Sequence, residues 1–228
     1  MAAGAAASSF FRDSRVTIGG SPATGNVFED VLIGVDLESI ENSVVEVSHN
    51  QAAGSWASSW AVPWCCYLPT KPSLFLIHDN TFKPTGPYAD GIYLMDDPTN
   101  KWIYALIHNN NIEAQNIGNG AISAHNTNGT TILHNKISGN GADGIGIWGG
   151  SHAQVLNNDV TNFTASPDLA QIVLDGTTTH STVVCKTSND TAMNLGTDNN
   201  LIGCQQLGSS GNASKMSSRP VLKKPVGR

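Results

Sequence analysis

The most informative stretch of this sequence reads Ala105-Leu-Ile-His-Asn-Asn-Asn-Ile112. Three other stretches share its frame, in which an apolar residue is followed by two variable residues, an asparagine, one variable residue and a second apolar residue. The four frames are Ile77/Asn80/Phe82, Ile107/Asn110/Ile112, Ile132/Asn135/Ile137 and Val155/Asn158/Val160. Their asparagines lie 30, 25 and 23 residues apart, so the sequence contains an internal repeat.

A second short apolar stretch follows each of these asparagines by about ten residues. These stretches are Gly91-Ile-Tyr-Leu94, Gly120-Ala-Ile-Ser-Ala124, Gly144-Ile-Gly-Ile147 and Gln171-Ile-Val-Leu174. Two or three short strands per repeat are typical of a parallel β-solenoid, in which each coil stacks about 4.8 Å above the last. Stacked asparagine side chains can then hydrogen-bond along the axis. We therefore predict an all-β, single-stranded parallel β-helix of roughly six to seven turns.

Composition agrees with this fold class. The 228 residues include 23 glycines and 22 asparagines, which favour turns over helices, so a helical bundle is excluded. We predict one domain over residues 1–206, followed by a disordered basic tail over 207–228. The 18 acidic and seven basic residues that precede residue 207 give that part a formal charge of −11, which argues against a nucleic-acid partner. No run of 18 apolar residues could span a membrane.

Residues 51–74 interrupt the repeat with a segment rich in Trp, Pro and Cys. Its tryptophans Trp56, Trp60 and Trp64 have a spacing of four, which would place their rings on one face of a helix, although Pro63 and Pro69 argue against a long helix. Such an aromatic stripe can stack on sugar rings, or it can pack as a lid over the flank of the coil. Both interpretations of the insertion remain open at the sequence level.

The repeat also predicts which side chains point outward from the second strand of each coil. One outward column contains Met95, His125, Trp148 and Asp175, and the neighbouring column contains Tyr93, Ser123, Gly146 and Val173. Together with the adjacent Asp96 and Asp143, the residues Tyr93, His125 and Trp148 could form a shallow groove. It would offer an aromatic floor that binds substrate, carboxylates that act as acid and base, and an imidazole. The alternative is that these are ordinary solvated turn residues.

His78 and His108 occupy equivalent positions in successive coils, so we expect their imidazoles to be outward neighbours. Such a pair could serve as a base or as metal ligands, or it could simply be an exposed ladder of polar residues. Zinc would need two further ligands, and only Asp79 is an obvious neighbour. We therefore predict no metal site and no cofactor, and calcium has no support.

Four Asn-x-Ser/Thr sequons begin at Asn128, Asn162, Asn189 and Asn212, and they favour glycosylation and an extracellular location. The N-terminal residues 1–9 have neither the basic nor the apolar part of a signal peptide. Cys185 and Cys204 could bridge neighbouring coils.

The asparagine-centred repeat resembles the right-handed parallel β-helix of the pectin lyase-like superfamily, most clearly over residues 75–176. The resemblance implies a secreted carbohydrate-active protein: a lyase, hydrolase or epimerase acting on a polysaccharide. Of the hydrolase motifs in that superfamily, only an Asp-Asp pair has a counterpart here, at Asp96-Asp97, and Gly-His-Gly and Arg-Ile-Lys are absent. No arginine lies between Arg15 and Arg219, so the arginine base of the pectate lyases has no counterpart in the repeats.

Three functions therefore remain as hypotheses, and whether the protein is an enzyme stays open. The first is a carbohydrate-active β-helix enzyme that uses the groove. The second is a non-catalytic glycan-binding or structural β-helix. The third is a small-molecule cyclase or isomerase with an apolar pocket beneath the tryptophan segment. We expect a monomer whose partner is a polysaccharide or another small-molecule ligand.

Overall fold

The computed structural model of the chain describes residues 5–7, 11–62, 69–100 and 102–207, and these residues form strands and turns without a helix. No membrane-spanning helix therefore exists among them. The strands are β1 (Ala5–Ala7), β2 (Phe11–Arg12), β3 (Arg15–Gly19), β4 (Val27–Glu38), β5 (Ile40–Glu41), β6 (Val44–Ser48), β7 (Gln51–Val62), β8 (Ser73–His78), β9 (Thr81–Pro84), β10 (Asp90–Met95), β11 (Ile103–His108), β12 (Asn111–His125), β13 (Thr131–Leu133), β14 (Lys136–Trp148), β15 (Gln154–Leu156), β16 (Asp159–Ala165), β17 (Ile172–Leu174), β18 (Thr182–Val184), β19 (Thr191–Asn194), β20 (Asn200–Ile202) and β21 (Gln205–Gln206).

These strands stack into two long parallel sheets. Sheet I has eleven strands in the order β1-β4-β7-β10-β12-β14-β17-β19-β21, with β9 paired to β7 and β12 and with β16 paired to β14. Sheet II has eight strands in the order β3-β6-β8-β11-β13-β15-β18-β20. The chain alternates between the sheets, so each strand pairs with its equivalent in the next coil. The fold is a parallel β-solenoid of about six turns, which confirms the predicted class.

The asparagines of the repeat form one continuous hydrogen-bonded ladder. The Nδ2 of Asn80 donates to the Oδ1 of Asn110 at 2.9 Å, and Asn110 donates to Asn135 and Asn135 to Asn158 at the same distance. The ladder extends beyond the predicted frames, because Asn50 donates to Asn80 at 3.1 Å. All five side chains are buried, so the ladder satisfies polar groups that would otherwise be stranded inside the coil.

The chain turns sharply just before each ladder asparagine. The preceding residue adopts a left-handed backbone, with φ values of 55° at Asp79 and Asn109, 54° at His134 and 51° at Asn157. Asparagine and aspartate tolerate this conformation better than most residues, which explains the amide-rich composition of the corner. Asn, Asp and His therefore form this bend, although glycine is the residue that most readily adopts a left-handed backbone.

The space between the sheets is filled by aliphatic and aromatic side chains that repeat once per coil. The predicted inward residues Ile77, Ile107, Ile132 and Val155 are buried in a file on sheet II, and Ile92, Ile122, Ile145 and Ile172 form a matching file on sheet I. Stacking of identical inward positions buries a continuous core that no single coil could form alone.

Residues 51–74 are a smaller interruption than the sequence indicated. Residues 51–62 form β7, a full member of sheet I between β4 and β10, rather than an inserted loop or helix. A spacing of four places two residues on one face of a strand as well as of a helix, because a strand has a period of two. Trp64 and the Cys65-Cys66 pair lie outside the described residues, as does the predicted tail from residue 208 onward.

A disulfide joins Cys185 to Cys204 across adjacent coils at the C-terminal end, as the sequence allowed. Both sulfurs lie against the core, and the bridge links the coil that contains β18 to the coil that contains β20.

Candidate functional site

The outer face of sheet I brings the predicted groove residues together. His125 is the register partner of both Met95 and Trp148, and Tyr93 is the register partner of Ser123. The predicted outward columns are therefore confirmed in their alignment. The ring centroids of Tyr93 and His125 are 5.0 Å apart, and those of His125 and Trp148 are 6.2 Å apart with nearly parallel planes. A phenol, an imidazole and an indole thus lie next to one another on three successive coils.

Tyr93 is much less accessible than an open groove would require. Only 2% of the residue is exposed, and its hydroxyl donates to the Sδ of Met95 at 3.3 Å. Burial, with a smaller contribution from the charge of Asp90, raises the pKa of the Tyr93 hydroxyl well above its usual value. The phenol is therefore held in its neutral form.

Asp96 closes the turn that follows β10. Its carboxylate accepts hydrogen bonds from the backbone N–H groups of Asp97 at 2.8 Å, Trp102 at 2.9 Å and Ile103 at 3.0 Å. The side chain is fully buried. Such a carboxylate holds a loop in place, since its oxygens are already engaged with the backbone. This arrangement differs from the solvent-facing acid that the sequence suggested.

Asp143 is also fully buried, and its carboxylate lies over two glycines. Asp143 is the register partner of Gly120, and a Cβ at Gly120 or at Gly146 would collide with its Oδ1. A Cβ at Gly146 would also collide with the indole of Trp148. The glycines therefore leave the room that lets Asp143 and Trp148 lie close to the sheet.

Three further carboxylates lie on this face, and the groove predicted from the sequence did not include them. Asp90 is buried and accepts hydrogen bonds from the hydroxyl of Ser123 at 2.6 Å and from the side-chain amide of Asn119 at 3.1 Å. Asp36 and Glu38 on β4 are only 3% and 5% exposed. The alternation of Val35 and Leu37 with these two acids was the signal that could have found them.

Trp148 packs against apolar neighbours instead of presenting its ring to solvent. It is 6% exposed and forms a small cluster with Ala170 and Val173 on the outside of sheet I. Met193 and Leu207 border the same cluster. The ring has the surroundings of a packing residue rather than those of an open sugar platform.

The tryptophans of the interrupting segment are placed only in part. Trp60 lies in β7, where it is the register partner of Asp36 on one side and of Tyr93 on the other. Trp56 lies on the same strand, and Trp64 lies outside the described residues. The backbone of β7 therefore runs alongside the Tyr93 column, while the role of these rings in substrate binding stays a prediction.

His78 and His108 stack as expected on the outer face of sheet II. Their ring centroids are 4.9 Å apart and their planes differ by 5°. The Nδ1 of His78 lies 2.8 Å from the Oδ2 of Asp79, and its Nε2 lies 3.4 Å from a carboxylate oxygen of Glu46. Burial, followed by the charge of His78, lowers the pKa of His108.

No group of three His, Cys, Asp or Glu side chains within the described ranges is arranged to hold a metal ion.

The sequons differ in accessibility: Asn162 and Asn189 are exposed, whereas Asn128 is half-buried and accepts a hydrogen bond from the Ser151 hydroxyl at 2.8 Å. Asn212 lies outside the described residues. Glycosylation therefore stays a prediction.

A separate open depression of about 240 Å³ lies beside the asparagine ladder, where β4, β7 and β9 stack. Its lining combines apolar groups with amide, hydroxyl and charged groups: Val27, Phe28, Glu29, Gln51, Ala52, Ala53, Thr81 and Lys83. The ammonium of Lys83 is paired with Glu113 at 2.9 Å. No pattern in the sequence indicates this depression, because its lining combines unlike residues from three strands on different coils.

Comparison with curated proteins finds no match for this chain, and comparison with solved structures finds none either. A family model described as a right-handed beta helix region matches residues 70–217. The match covers more than half of the chain and spans all four of the aligned frames. Together with the stacked parallel sheets, it shows that the chain belongs to the right-handed β-helix family.

Proposed function

We propose that this protein is a non-catalytic β-helix that binds a neutral polysaccharide in the depression beside the asparagine ladder. The observation that carries the proposal is the lining of this depression, in which the exposed Gln51 and the half-buried Thr81 stand beside the apolar Val27. Sugars present hydroxyl groups at their edges and C–H groups on their faces, so they need polar and apolar groups together.

The charges favour a neutral ligand over an acidic one. The part of the chain before residue 207 has a formal charge of −11, which repels polyanions at long range. The only cationic side chain that lines the depression, Lys83, is already paired with Glu113.

The proposal is tested by affinity electrophoresis and calorimetry against a panel of neutral and uronic-acid polysaccharides. Binding to a neutral polysaccharide is expected, and Gln51→Ala or Thr81→Ala should weaken it about tenfold each, the effect of one lost hydrogen bond. Thr182→Ala is the matched control, because Thr182 is a half-buried strand threonine on sheet II, outside the depression. Absence of binding across the panel, or equal binding by Thr81→Ala and the wild type, would contradict the proposal.

A second candidate, a carbohydrate-active enzyme, is favoured by the contact between the buried Tyr93 and the half-buried His125, whose ring centroids are 5.0 Å apart, on the face that also carries the buried Asp143. Ionisable groups with perturbed pKa values concentrate at functional sites, and the pKa of Tyr93 is raised. In this case His125→Ala should abolish release of sugar products from the same panel and leave the melting temperature nearly unchanged. His180→Ala is the control, since the His180 side chain is 57% exposed and lies on another part of the coil. Lack of product with the wild-type protein would remove this candidate without affecting the binding proposal.

A further inference from the structure

Four histidines meet at one corner of the solenoid, where sheet II turns into the asparagine ladder. His78 and His108 are the last residues of β8 and β11. His49 and His134 each directly precede a ladder asparagine and hold the left-handed backbone of that turn, with φ values of 59° and 54°. We call these four side chains the histidine corner.

The imidazoles of the histidine corner are close enough to repel one another once they are charged. The rings of His78 and His108 stack with their centroids 4.9 Å apart, and the ring of His49 meets that of His78 edge-on at 6.2 Å. His134 interacts electrostatically with His108 from the next coil. The ring separations are shorter than the Debye length of about 8 Å at physiological ionic strength, so salt screens the repulsion only in part.

Two carboxylates face the histidine corner. The Oδ2 of Asp79 lies 2.8 Å from the Nδ1 of His78, and the Oε1 of Glu46 lies 3.4 Å from its Nε2. Glu46 also pairs with the guanidinium of Arg15 on β3 at 3.5 Å. Apart from Tyr104, the other outward side chains of the described strands β8, β11, β13 and β15 do not ionise: Leu74, Leu76, Leu106, Thr131, Leu133, Gln154 and Leu156.

Protonation reverses the sign of the charge at this corner. With neutral imidazoles, Asp79, Glu46 and Arg15 give it one net negative charge, whereas four imidazolium rings leave it with three net positive charges. An imidazolium also has an N–H on both ring nitrogens. The Nδ1 of His49 is buried and has no hydrogen-bond partner in the described part of the chain, so an N–H there would lack an acceptor in the closed corner. Both effects disfavour the closed corner in acid.

The pKa of His108 has the direction that this repulsion requires. Burial, followed by the charge of His78, lowers the pKa of His108, and His134 adds to the shift while Asp79 opposes it. The unfolded chain, in which this pKa is about 6.5, therefore binds the proton more readily than the folded chain does. The stability that depends on His108 is thus fully present above about pH 6.5 and is lost as the pH falls through the lowered pKa of the folded state.

Asp79 keeps its charge over the same range of pH. Burial acts to raise the pKa of Asp79, but the hydrogen bond and the charge of His78 outweigh it and hold this pKa below its usual value. The stability that depends on Asp79 is therefore present above its unfolded pKa of about 4 and is lost only at lower pH. Between about pH 6.5 and pH 4, the imidazoles alone change the charge of the corner.

The histidine corner shares its backbone with the asparagine ladder. The Nδ2 of Asn80 donates to the backbone carbonyl of His78 at 2.9 Å, and the Nδ2 of Asn110 donates to that of His108 at 3.1 Å. The same two asparagines hydrogen-bond to each other across the coils at 2.9 Å. Repulsion between the stacked rings therefore acts on the hydrogen bonds that join these two coils.

We propose that the histidine corner is an acid-sensitive switch, which holds the coils of β8 and β11 together near neutral pH and loosens them as the solution becomes acidic. Histidine suits this role, because its charge ordinarily changes between about pH 5 and pH 8. The switch needs no ligand, so it is independent of the polysaccharide proposal. A second stacked pair, His152 and His180, lies at the opposite ends of the sheet II strands and is exposed, so water screens its charges.

Melting temperatures at about pH 7.5 and about pH 5 test the proposal on the whole chain. The wild-type melting temperature should fall by about 5 °C or more. His108→Gln removes one of the stacked charges and should at least halve this fall, with little change at the higher pH. His180→Gln is the matched control, because it removes one ring of the exposed pair, and its fall should equal that of the wild type. No fall in the wild type, or equal falls in all three proteins, would overturn the proposal.

Hydrogen exchange shows where the solenoid loosens. Protection factors, which are corrected for the intrinsic effect of pH on exchange, should drop about tenfold in β8 and β11 on acidification and stay nearly constant in β18 and β20. A uniform drop along the chain would contradict a local switch. Should His108→Gln be unfolded, His134→Asn replaces it, because asparagine tolerates the left-handed backbone of the turn. This variant should also reduce the fall in melting temperature, and an unchanged fall would count against the switch.

Discussion

At the scale of single residues, Asp96 illustrates how one carboxylate can suggest one role in the sequence and adopt another in the fold. As part of an Asp-Asp pair after a strand, it resembled the acid of a hydrolase. In the structure its two carboxylate oxygens accept hydrogen bonds from the backbone N–H groups of Asp97, Trp102 and Ile103. An ionised carboxylate with several such donors stabilises the loop between two coils.

Replacing Asp96 by Asn should therefore lower stability rather than remove an activity alone. The Oδ1 of asparagine can still accept, but its NH₂ group would face backbone donors, so we expect a loss of about 2–3 kcal/mol in the free energy of unfolding. This loss in the free energy of unfolding is measured by urea denaturation. Asp97→Asn is the control: Asp97 accepts from Thr99 and Asn100 through Oδ1 alone, which asparagine retains. Equal stability of Asp96→Asn and the wild type would show that the carboxylate does not hold the turn.

The sequence could align the candidate residues but could not show how buried they are. The proximity of Tyr93, His125 and Trp148 follows from the repeat, since equivalent outward positions on stacked strands must be neighbours. The burial of Trp148 depends on Ala170 and Val173, which belong to a different coil. The repeat places Val173 in the column beside Trp148, but Ala170 lies outside the aligned strand positions, so the alignment does not show that the indole is covered.

At the scale of an element, the asparagine ladder fixes the register of neighbouring coils, which the non-directional contacts of the apolar core alone do not fix. The Oδ1 of Asn110 accepts from both the backbone N–H and the side chain of Asn80, at 3.1 and 2.9 Å. Its own Nδ2 donates to Asn135 and to backbone carbonyls. The ladder thus fixes the register between coils at one corner.

Asn110→Ala should break the ladder in its middle. The backbone N–H of Asn80 would lose its acceptor inside the core, so we expect a loss of about 3 kcal/mol in the free energy of unfolding. Asn111→Ala provides a matched control, because Asn111 is partly exposed and its side chain donates to Glu113 at 3.1 Å, and it should cost less than about 0.5 kcal/mol. Chemical denaturation of both variants gives the comparison. Similar losses at positions 110 and 111 would argue against the ladder as the stabilising feature.

Strand β7 shows where pattern reasoning reaches its limit at this scale. The spacing of Trp56 and Trp60 satisfies both a helix and a strand, and the asparagine frame before them, Val47/Asn50/Ala52, was not among the four frames that defined the repeat. Pairing decides the outcome, since β4 pairs with β7 along most of its length on one side, and β9 and β10 pair with its first and second halves on the other. Long-range pairing of this kind is not visible in a local window.

At the scale of the whole molecule, the disulfide protects the C-terminal end of the coil. Cys185 and Cys204 are 19 residues apart, and a closed loop of this size stabilises a fold by about 3 kcal/mol in the chain-entropy model. The solenoid is quasi-one-dimensional, so this stabilisation should be local.

The double variant Cys185→Ala/Cys204→Ala should accordingly open its last coils first. Amide hydrogen exchange in β18 to β21 is expected to accelerate, while exchange in β8 to β12 should stay close to that of the wild type. The oxidised wild-type protein is the reference. Uniform acceleration along the chain would mean that the solenoid unfolds as a single cooperative unit.

The class of fold was predictable because its defining contacts repeat in the sequence. The same inward position is apolar in four coils, at Ile77, Ile107, Ile132 and Val155. The depression beside Gln51 and Thr81 was not predictable, because it depends on how unlike residues on successive coils combine. Repetition therefore specifies the scaffold, and departures from it specify the surface.

The unequal spacing of the ladder asparagines has an evolutionary consequence. The segments between Asn80, Asn110, Asn135 and Asn158 differ by several residues, yet each returns the chain to the same corner. Duplication or deletion of a whole segment in the gene would leave an asparagine at every corner, and each could still hydrogen-bond to the asparagine of the next coil. Such a protein can change its length by complete coils while its lateral loops diverge freely. New surfaces can therefore arise while the β-helix scaffold is kept.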